Sequence, residues 1–196
     1  MRWRPLWPST KATPPRSARF PDVVLRTDRL VLRPLRESDA PDVVAGACDP
    51  VTQQWLPLPR PYTIEHARAF VNRLAPGLHA IGHGVVRAIE VDGAFAGVID
   101  LKRTDWVARV TEMGYWAMPE FRGRGVMTEA TVALSRWALG DAGFERVELR
   151  IAPGNIASNR VAIKSGFTRE GVARSAGYVH GNRLDLVIYS KIIQDL

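Results

Sequence analysis

A predicted strand, a basic glycine-rich turn and the start of a helix follow one another over residues 114–130. Two glycines, Gly123 and Gly125, leave the backbone of the turn open to close approach by a ligand. The first N–H groups of a helix have no partner within that helix, and the helix dipole makes the same end positive. From the residues alone, the segment predicts either an anion-binding site or an ordinary surface turn.

Two arginines in this turn, Arg122 and Arg124, add positive charge that suits phosphate groups. The turn lacks the lysine and the serine or threonine of a P-loop, and it lacks the third glycine of a dinucleotide fingerprint. The pattern therefore excludes those two nucleotide sites and remains compatible with a pyrophosphate held by backbone N–H groups.

The positive charge of the chain is concentrated at its N-terminus. The net charge is +7, and residues 1–20 hold five basic and no acidic residues, which leaves 7 − 5 = +2 for the remainder. Four prolines in the same stretch resist helix formation, so we predict a disordered or PPII-like leader over residues 1–20 and one domain over residues 21–196. The leader is either a mobile extension or a targeting or surface-binding tail, and the nearly neutral remainder argues against nucleic acid as a partner.

Composition restricts the class of protein further. The chain is 46% hydrophobic, which is enough for a buried core, but no apolar run approaches the roughly 20 residues that span a bilayer. Cys48 is the only cysteine, which excludes an intrachain disulfide and fits a reducing compartment. We therefore expect a cytoplasmic protein with no membrane partner.

Hydrophobic periodicity predicts the order β-α-α, a β meander, then β-α-β-α-β-β. The predicted strands cover residues 23–33, 85–91, 95–101, 109–118, 147–151, 168–178 and 183–193. The predicted helices cover residues 38–47, 63–74, 126–138 and 157–165. This order predicts a mixed α/β fold (α+β) with a central twisted, mostly antiparallel sheet flanked by helices.

The turn resembles the acetyl-CoA signature of the GNAT superfamily of N-acetyltransferases. The family pattern is Arg/Gln-x-x-Gly-x-Gly/Ala, and this chain has Arg122, Gly125 and Met127 at the three defined positions. Methionine departs from the general pattern but is similar to the RimJ/RimL-like branch, which acetylates the N-termini of ribosomal proteins. Segments that resemble further parts of that branch follow in the right order: residues 27–34, 155–167 and 183–190.

The resemblance implies the GNAT-type acyl-CoA N-acyltransferase fold, acetyl-CoA as cosubstrate and no metal. The strand end at Ala117 and Met118 would pair with the pantetheine arm, Asn155 would hydrogen-bond it, and Lys164 or Arg160 would meet the adenosine phosphate unless these two lie on a solvated helix face. The pyrophosphate would bind the N–H groups of the turn: Arg122, Gly123, Arg124, Gly125, Val126, Met127 and Thr128.

The implied reaction is direct attack of a primary amine on the thioester. An α-amine with a pKa near 8 costs about 1.4 kcal/mol to deprotonate at pH 7, and a lysine amine costs about 4.6 kcal/mol, so an N-terminal or weakly basic amine needs less help from a base. Glu112 has two interpretations: it is either the general base or a solvent-facing strand residue. Ser158 likewise is either the general acid or a residue that accepts hydrogen bonds from the N–H groups at a helix start.

The chain departs from the branch at one position. Gly177 stands where ribosomal-protein acetyltransferases of this branch can carry a glutamate base, which leaves the acceptor open: a protein N-terminus or a small molecule. Tyr178 and His180 either line the acceptor cleft or are packed structurally. The alternatives are a non-catalytic acyl-CoA-binding or regulatory module, a transferase for a longer acyl group such as succinyl, and a ribosome-attachment role for the leader.

Two further features of the sequence lead to expectations about metal and assembly. His79 and His83 have the i, i+4 spacing of metal ligands, but Gly82 and Gly84 lie beside His83 and no carboxylate is nearby in the sequence, so we expect no metal site. The sequence leaves the oligomeric state open, and homodimers, which are common among similar proteins, are one alternative.

Overall fold

The computed structural model describes residues 19–196, and it forms a single eight-stranded sheet with the order β1-β2-β3-β4-β5-β6-β8-β7. Six of the seven neighbouring pairs are antiparallel, and only β5 and β6 are parallel. The strands are β1 (Leu25–Arg26), β2 (Leu30–Arg33), β3 (Val85–Val91), β4 (Ala94–Asp105), β5 (Val110–Ala117), β6 (Arg146–Ile151), β7 (Thr168–Val179) and β8 (Asn182–Ile192). The mixed α/β fold and the mostly antiparallel sheet are therefore confirmed.

Within residues 19–196, six α-helices flank the sheet. They are α1 (Ala40–Cys48), α2 (Pro50–Trp55), α3 (Ile64–Ala69), α4 (Ala75–Ala80), α5 (Val126–Leu139) and α6 (Ile156–Lys164). A π-helical turn, Phe70–Leu74, joins α3 to α4. The sheet face that carries α5 and α6 is called the α5 face below, and the opposite one is called the α1 face.

Each face has its own apolar core. On the α5 face, Leu134 of α5 is fully buried with strand residues such as Leu149. On the α1 face, Val43 of α1 and Val71 are buried against Val98 of β4. Side chains alternate along a strand, so the burial pattern of each strand identifies the face that each residue occupies.

Local chemistry explains where the observed elements differ from the predicted ones. The single extended segment predicted over residues 23–33 is divided into β1 and β2 by a tight turn, in which Thr27 Oγ1 accepts a hydrogen bond from the N–H of Leu30 at 2.9 Å. Helix α2 was not predicted. Asp49 caps it by accepting a hydrogen bond from the N–H of Thr52 at 2.9 Å, and Pro50 occupies its first position, where a proline loses no helical hydrogen bond.

Most of the predicted leader, residues 1–18, lies outside the described residues. Phe20, the last residue of the predicted leader, is 3% exposed, and its ring centroid lies 4.9 Å from that of Trp106 and 5.4 Å from that of Phe144. Phe20 therefore belongs to the packed core.

Candidate active site

The sheet opens between its two parallel strands. Residues 110–113 of β5 pair with residues 146–149 of β6, and the pairing stops at Met113 and Leu149. Beyond that point β5 remains paired with β4 as far as Ala117, and β6 remains paired with β8 as far as Ile151. The two strands therefore diverge, and their facing edges are unpaired. This opening is called the gap.

Backbone alternation identifies the groups that point into the gap. The N–H of Met118 donates to Ala96 O at 2.9 Å. The backbone N–H and C=O groups of Met118, and those of Trp116 two residues earlier, therefore face β4. Tyr115 and Ala117 consequently direct their N–H and C=O groups into the gap. Arg122 Nε donates to Ala117 O at 3.1 Å, while the N–H of Ala117 remains available to an extended ligand.

The glycine turn and the start of α5 lie at the end of the strand that borders the gap. Gly123 and Gly125 have φ of +72° and +79°, a left-handed conformation that side chains with a Cβ adopt at a cost. The N–H groups of residues 123–128 donate no hydrogen bond to any atom of residues 19–196. Six unpaired N–H groups at the positive end of a 14-residue helix form an anion-binding geometry.

The turn residues differ in what their side chains can offer an anion. Val126 and Met127 are buried in the core, so only their backbone can reach a ligand. Arg124 is exposed, and its Nη1 lies 3.4 Å from Glu120 O. Thr128 is half-buried in the first turn of α5. Arg124 therefore supplies the accessible positive charge.

The guanidinium of Arg122 is already engaged within the protein. Its Nη2 lies 2.5 Å from Asp49 Oδ2 and 3.1 Å from Thr52 Oγ1. Burial raises the pKa of Asp49, but the hydrogen bonds from Arg122 and from the N–H of Thr52 outweigh it and leave the pKa below its usual value. Arg122 thus ties the end of β5 to the start of α2, and a phosphate would have to compete with these contacts.

A second link anchors the start of α5, and no role was predicted for its members. Thr27 Oγ1 donates to Glu129 Oε1 at 2.5 Å, and Arg29 donates to Glu129 Oε2 from Nε at 2.9 Å and from Nη2 at 2.5 Å. These bonds outweigh the effect of burial and lower the pKa of Glu129. Arg29 Nη1 also lies 3.4 Å from Arg124 O, so the link reaches the turn itself. The signal in the sequence that could have identified this link is that Thr27, Arg29 and Glu129 all lie in segments that resemble the family.

Across the gap, Asn155 and Ser158 lie at the start of α6. Asn155 Oδ1 accepts a hydrogen bond from the N–H of Ser158 at 3.1 Å and thereby caps the helix. The hydroxyl of Tyr115, from the other side of the gap, donates to Ser158 O at 3.2 Å, and burial raises the pKa of that phenol. Lys164, at the last turn of α6, and Arg160 are both exposed.

Glu112 lies on β5 two residues before the gap opens. Its neighbours Thr111 and Met113 are buried on the α5 face, so Glu112 projects from the α1 face. Its side chain is 13% exposed, lies 2.9 Å from Arg103 Nη1 and 3.9 Å from Lys102 Nζ, and is therefore held among cations. Glu112 and Ser158 accordingly approach the gap from different elements.

A groove of about 440 Å³ lies between α2 and the tip of the β7–β8 hairpin, and it is called the α2 groove. Its lining residues are Pro50, Gln54, Trp55, Arg60, Val179, His180, Asn182 and Leu184. His180 Nε2 is 2.9 Å from Gln53 O, which holds the hairpin tip against α2. Trp55 packs over Gly154, where an added Cβ would lie 3.2 Å from the indole. The groove therefore approaches the loop that carries Asn155.

The remaining predicted positions lie apart from the gap. Tyr178 is 60% exposed on the hairpin, and an added Cβ on Gly177 would lie 3.1 Å from Leu186. His79 Nε2 lies 3.6 Å from Asp22 Oδ1, and His83 is in the following turn. Within residues 19–196, no group of three or more histidine, cysteine or acidic side chains could hold a metal ion, and no helix is both long and apolar enough to cross a membrane.

Sequence comparisons identify the family of the chain. Residues 29–168 match the family described as the Acetyltransferase (GNAT) domain. The chain is 39% identical over 108 residues to the N-acetyltransferase YdaF of Bacillus subtilis (strain 168), covering 55% of this chain and 59% of that protein. It is 28% identical over 116 residues to the ribosomal-protein-serine acetyltransferase of Escherichia coli (strain K12), covering 59% of this chain and 65% of that protein. The chain thus spans about three fifths of the length of these two relatives.

Solved structures share the fold over nearly the whole described chain. RimL, the ribosomal L7/L12 alpha-N-protein acetyltransferase, was solved in complex with coenzyme A and is similar to this chain with a TM-score of 0.80 and 27% sequence identity. That similarity covers 89% of this chain and 100% of the RimL chain. Because the family match extends over more than half of the sequence and includes both sides of the gap, the chain belongs to the GNAT acetyltransferase family.

Proposed function

We propose that this protein is an N-acetyltransferase that transfers an acetyl group from acetyl-CoA to a primary amine. The single observation that carries the proposal is the gap between β5 and β6, with unpaired backbone on its edge and six unpaired N–H groups at its end. A thioester carrier with a pyrophosphate at one end and an amide-containing arm at the other is complementary to this arrangement.

The coenzyme would lie along the inner edge of β5. Its pyrophosphate would bind the N–H groups of residues 123–128, and its pantetheine amides would pair with the strand edge at Tyr115 and Ala117. The N–H of Met118 is occupied by Ala96 O, so the oxyanion would be stabilised by whichever N–H of Tyr115 and Ala117 is not paired with the pantetheine. Asn155 would meet the pantetheine from the opposite side.

The reaction would proceed by direct attack. The amine nitrogen forms a bond to the thioester carbonyl carbon, the C–S bond breaks, and the amine proton leaves with a base. Glu112 is the candidate base on the α1 face, and Gly177 offers no carboxylate as an alternative. Ser158 is the candidate acid that returns a proton to the departing thiolate, because no other group of residues 19–196 occupies its hydroxyl.

The acceptor is proposed to be the N-terminal amine of a protein. The names of two relatives, a ribosomal-protein-serine acetyltransferase and an L7/L12 alpha-N-protein acetyltransferase, support this class. The lower cost of deprotonating an α-amine than a lysine amine also favours it. The homodimer that the sequence leaves open as one alternative can be tested by analytical ultracentrifugation.

Mass spectrometry tests the activity directly. The purified full chain would be incubated with acetyl-CoA and a pool of ribosomal proteins, peptides and small amines, and the products would be compared with those of the Ala117→Pro variant, which lacks one of the two N–H groups of β5 that face the gap. We expect acetylated N-terminal amines with the wild type and much less product with the variant. Tight acetyl-CoA binding with no acetylated amine in the pool would favour a non-catalytic acyl-CoA-binding protein.

A further inference from the structure

The charged side chains on the α1 face of β6 are paired, with one exception. Arg146 contacts Glu148 at 2.8 Å and Glu170 at 2.5 Å. Arg150 lies on the same strand and face but forms no ion pair within residues 19–196, and its buried Nε has no hydrogen-bond acceptor there. A buried donor without an acceptor is unfavourable, so this site would gain from a ligand that supplies one.

Arg150 also borders the gap. The pairing of β5 with β6 ends at Leu149, which makes Arg150 the first residue of β6 beyond it. On the opposite strand the corresponding position is Gly114, where Lys102 Nζ and Asp100 Oδ1 occupy the space that a side chain would fill. Arg150 therefore stands on the face that carries Glu112, at the level where the strands begin to diverge.

The acidic groups near this part of the gap lie closer to other cations than to Arg150. Glu112 is held by Arg103 at 2.9 Å, and Asp100 Oδ1, which accepts no hydrogen bond within residues 19–196, has Lys102 Nζ at 3.6 Å. Arg150 forms an ion pair with neither of them, so its charge is available to a ligand. A guanidinium in such a position binds a carboxylate well, because its planar N–H groups match the two carboxylate oxygens.

The α2 groove supports a substrate with negative charge. Its charged or titratable lining consists of Arg60 and His180, and it contains no carboxylate. Leu184 lines the groove, and Ile188, four residues along the same strand, pairs with Arg150. Four residues of strand span about 13 Å, so a short extended peptide would connect the groove to Arg150.

We propose that Arg150 binds a substrate carboxylate beside the gap and thereby selects substrates that carry one near the reacting group. This inference rests on the proposed acetyltransferase function. The carboxylate belongs either to the acceptor, as an acidic residue near a peptide N-terminus, or to the far end of a longer acyl chain. The cationic lining of the α2 groove favours the acceptor as the source.

Matched peptides test the acceptor as the source. Two peptides would begin with Ser-Glu or Ser-Gln and be otherwise identical, and their binding to the full chain loaded with coenzyme A would be measured by calorimetry. We expect the Ser-Glu peptide to bind at least tenfold more tightly, Arg150→Gln to abolish the difference, and Arg150→Lys to retain part of it. The control Arg146→Gln should leave the difference intact, because the charge of Arg146 is already used by Glu148 and Glu170.

Acyl donors test the second source. The Ser-Gln peptide would be acylated with acetyl-CoA or succinyl-CoA, and a preference for succinyl-CoA that disappears in Arg150→Gln would assign the carboxylate to the acyl chain. The proposal is overturned if neither discrimination depends on Arg150. If the preference between the two peptides depends on Arg150 but no acetylation is detected, the carboxylate site remains supported and the proposed function is contradicted.

Discussion

Substituting Gly125 by glutamine or glutamate separates the conformational role of the turn from its electrostatic role. Gly125 has φ of +79°, and the left-handed conformation costs residues with a Cβ about 1–2 kcal/mol. An added Cβ would meet only Arg29 Nη2, at 3.6 Å, which is an ordinary contact. Both variants should therefore lose about 1–2 kcal/mol of unfolding free energy, which lowers the Tm by about 2–8 °C for a chain of this size.

The two variants should differ in acetyl-CoA affinity. A carboxylate about 4 Å from a phosphate charge near a protein surface costs about 4 kcal/mol, or roughly a thousandfold in affinity, and the nearby Arg29 would offset part of this. We expect Gly125→Glu to bind acetyl-CoA about 10- to 1000-fold more weakly than Gly125→Gln, as measured by calorimetry at low salt. Gly181→Glu is the control, since Gly181 has φ of +85° and no neighbour within 4 Å, but lies at the hairpin tip.

Equal acetyl-CoA affinities of the glutamine and glutamate variants would refute the assignment of the turn as the pyrophosphate site. A loss of affinity in the Gly181→Glu control as large as that in Gly125→Glu would show that strain or charge anywhere in the fold has the same effect. Unchanged stability in both Gly125 variants would contradict the left-handed conformation of the turn.

Two further predictions concern carboxylates on the α1 face. Glu112→Gln should lower the acetylation rate mainly below the pKa of the acceptor amine, and a rate-pH profile that is identical to that of the wild type would eliminate Glu112 as the base. Hydrogen bonds from Arg146 and Ser190 lower the pKa of Glu170 from 4.5 to about 2, so its contribution to stability is present above pH 4.5 and is lost as the pH falls toward 2. The side chain of Glu170 is 40% exposed, so solvent weakens its ion pair. In urea unfolding experiments we expect Glu170→Gln to lower the free energy of unfolding by less than about 1 kcal/mol at pH 7 and not at all near pH 2. An equal loss at both pH values would contradict this account.

The features of the site that local sequence predicted are those with a local cause. Glycines at 123 and 125 permit the left-handed turn, and the periodic apolar residues that follow form α5, so the positive end of a helix was predictable at that point. The strand before the turn was predicted over residues 109–118 and forms over Val110–Ala117. The cap of α6 also has a local cause, but the prediction named Ser158 as the residue that could bond the N–H groups at the helix start, whereas Asn155 does so.

Contacts between distant segments could not be predicted in this way. Thr27 and Arg29 meet Glu129 across about 100 residues of chain, and Arg122 meets Asp49 across 73. Periodicity describes the face of one element and carries no information about which charge on another element will face it. The engagement of Arg122 within the protein is therefore a tertiary result, although the charge itself was visible in the sequence.

By itself, the sequence determined the order of the elements, the mixed sheet and the glycine turn with its positive helix end, because backbone preferences and side-chain periodicity act over a few residues. Only the tertiary structure decided where the sheet opens, which N–H groups point into the gap, and that Arg150 beside the gap forms no ion pair within residues 19–196. These depend on the register between β5 and β6 and on the divergence of the strands after Leu149, and both are properties of the assembled sheet.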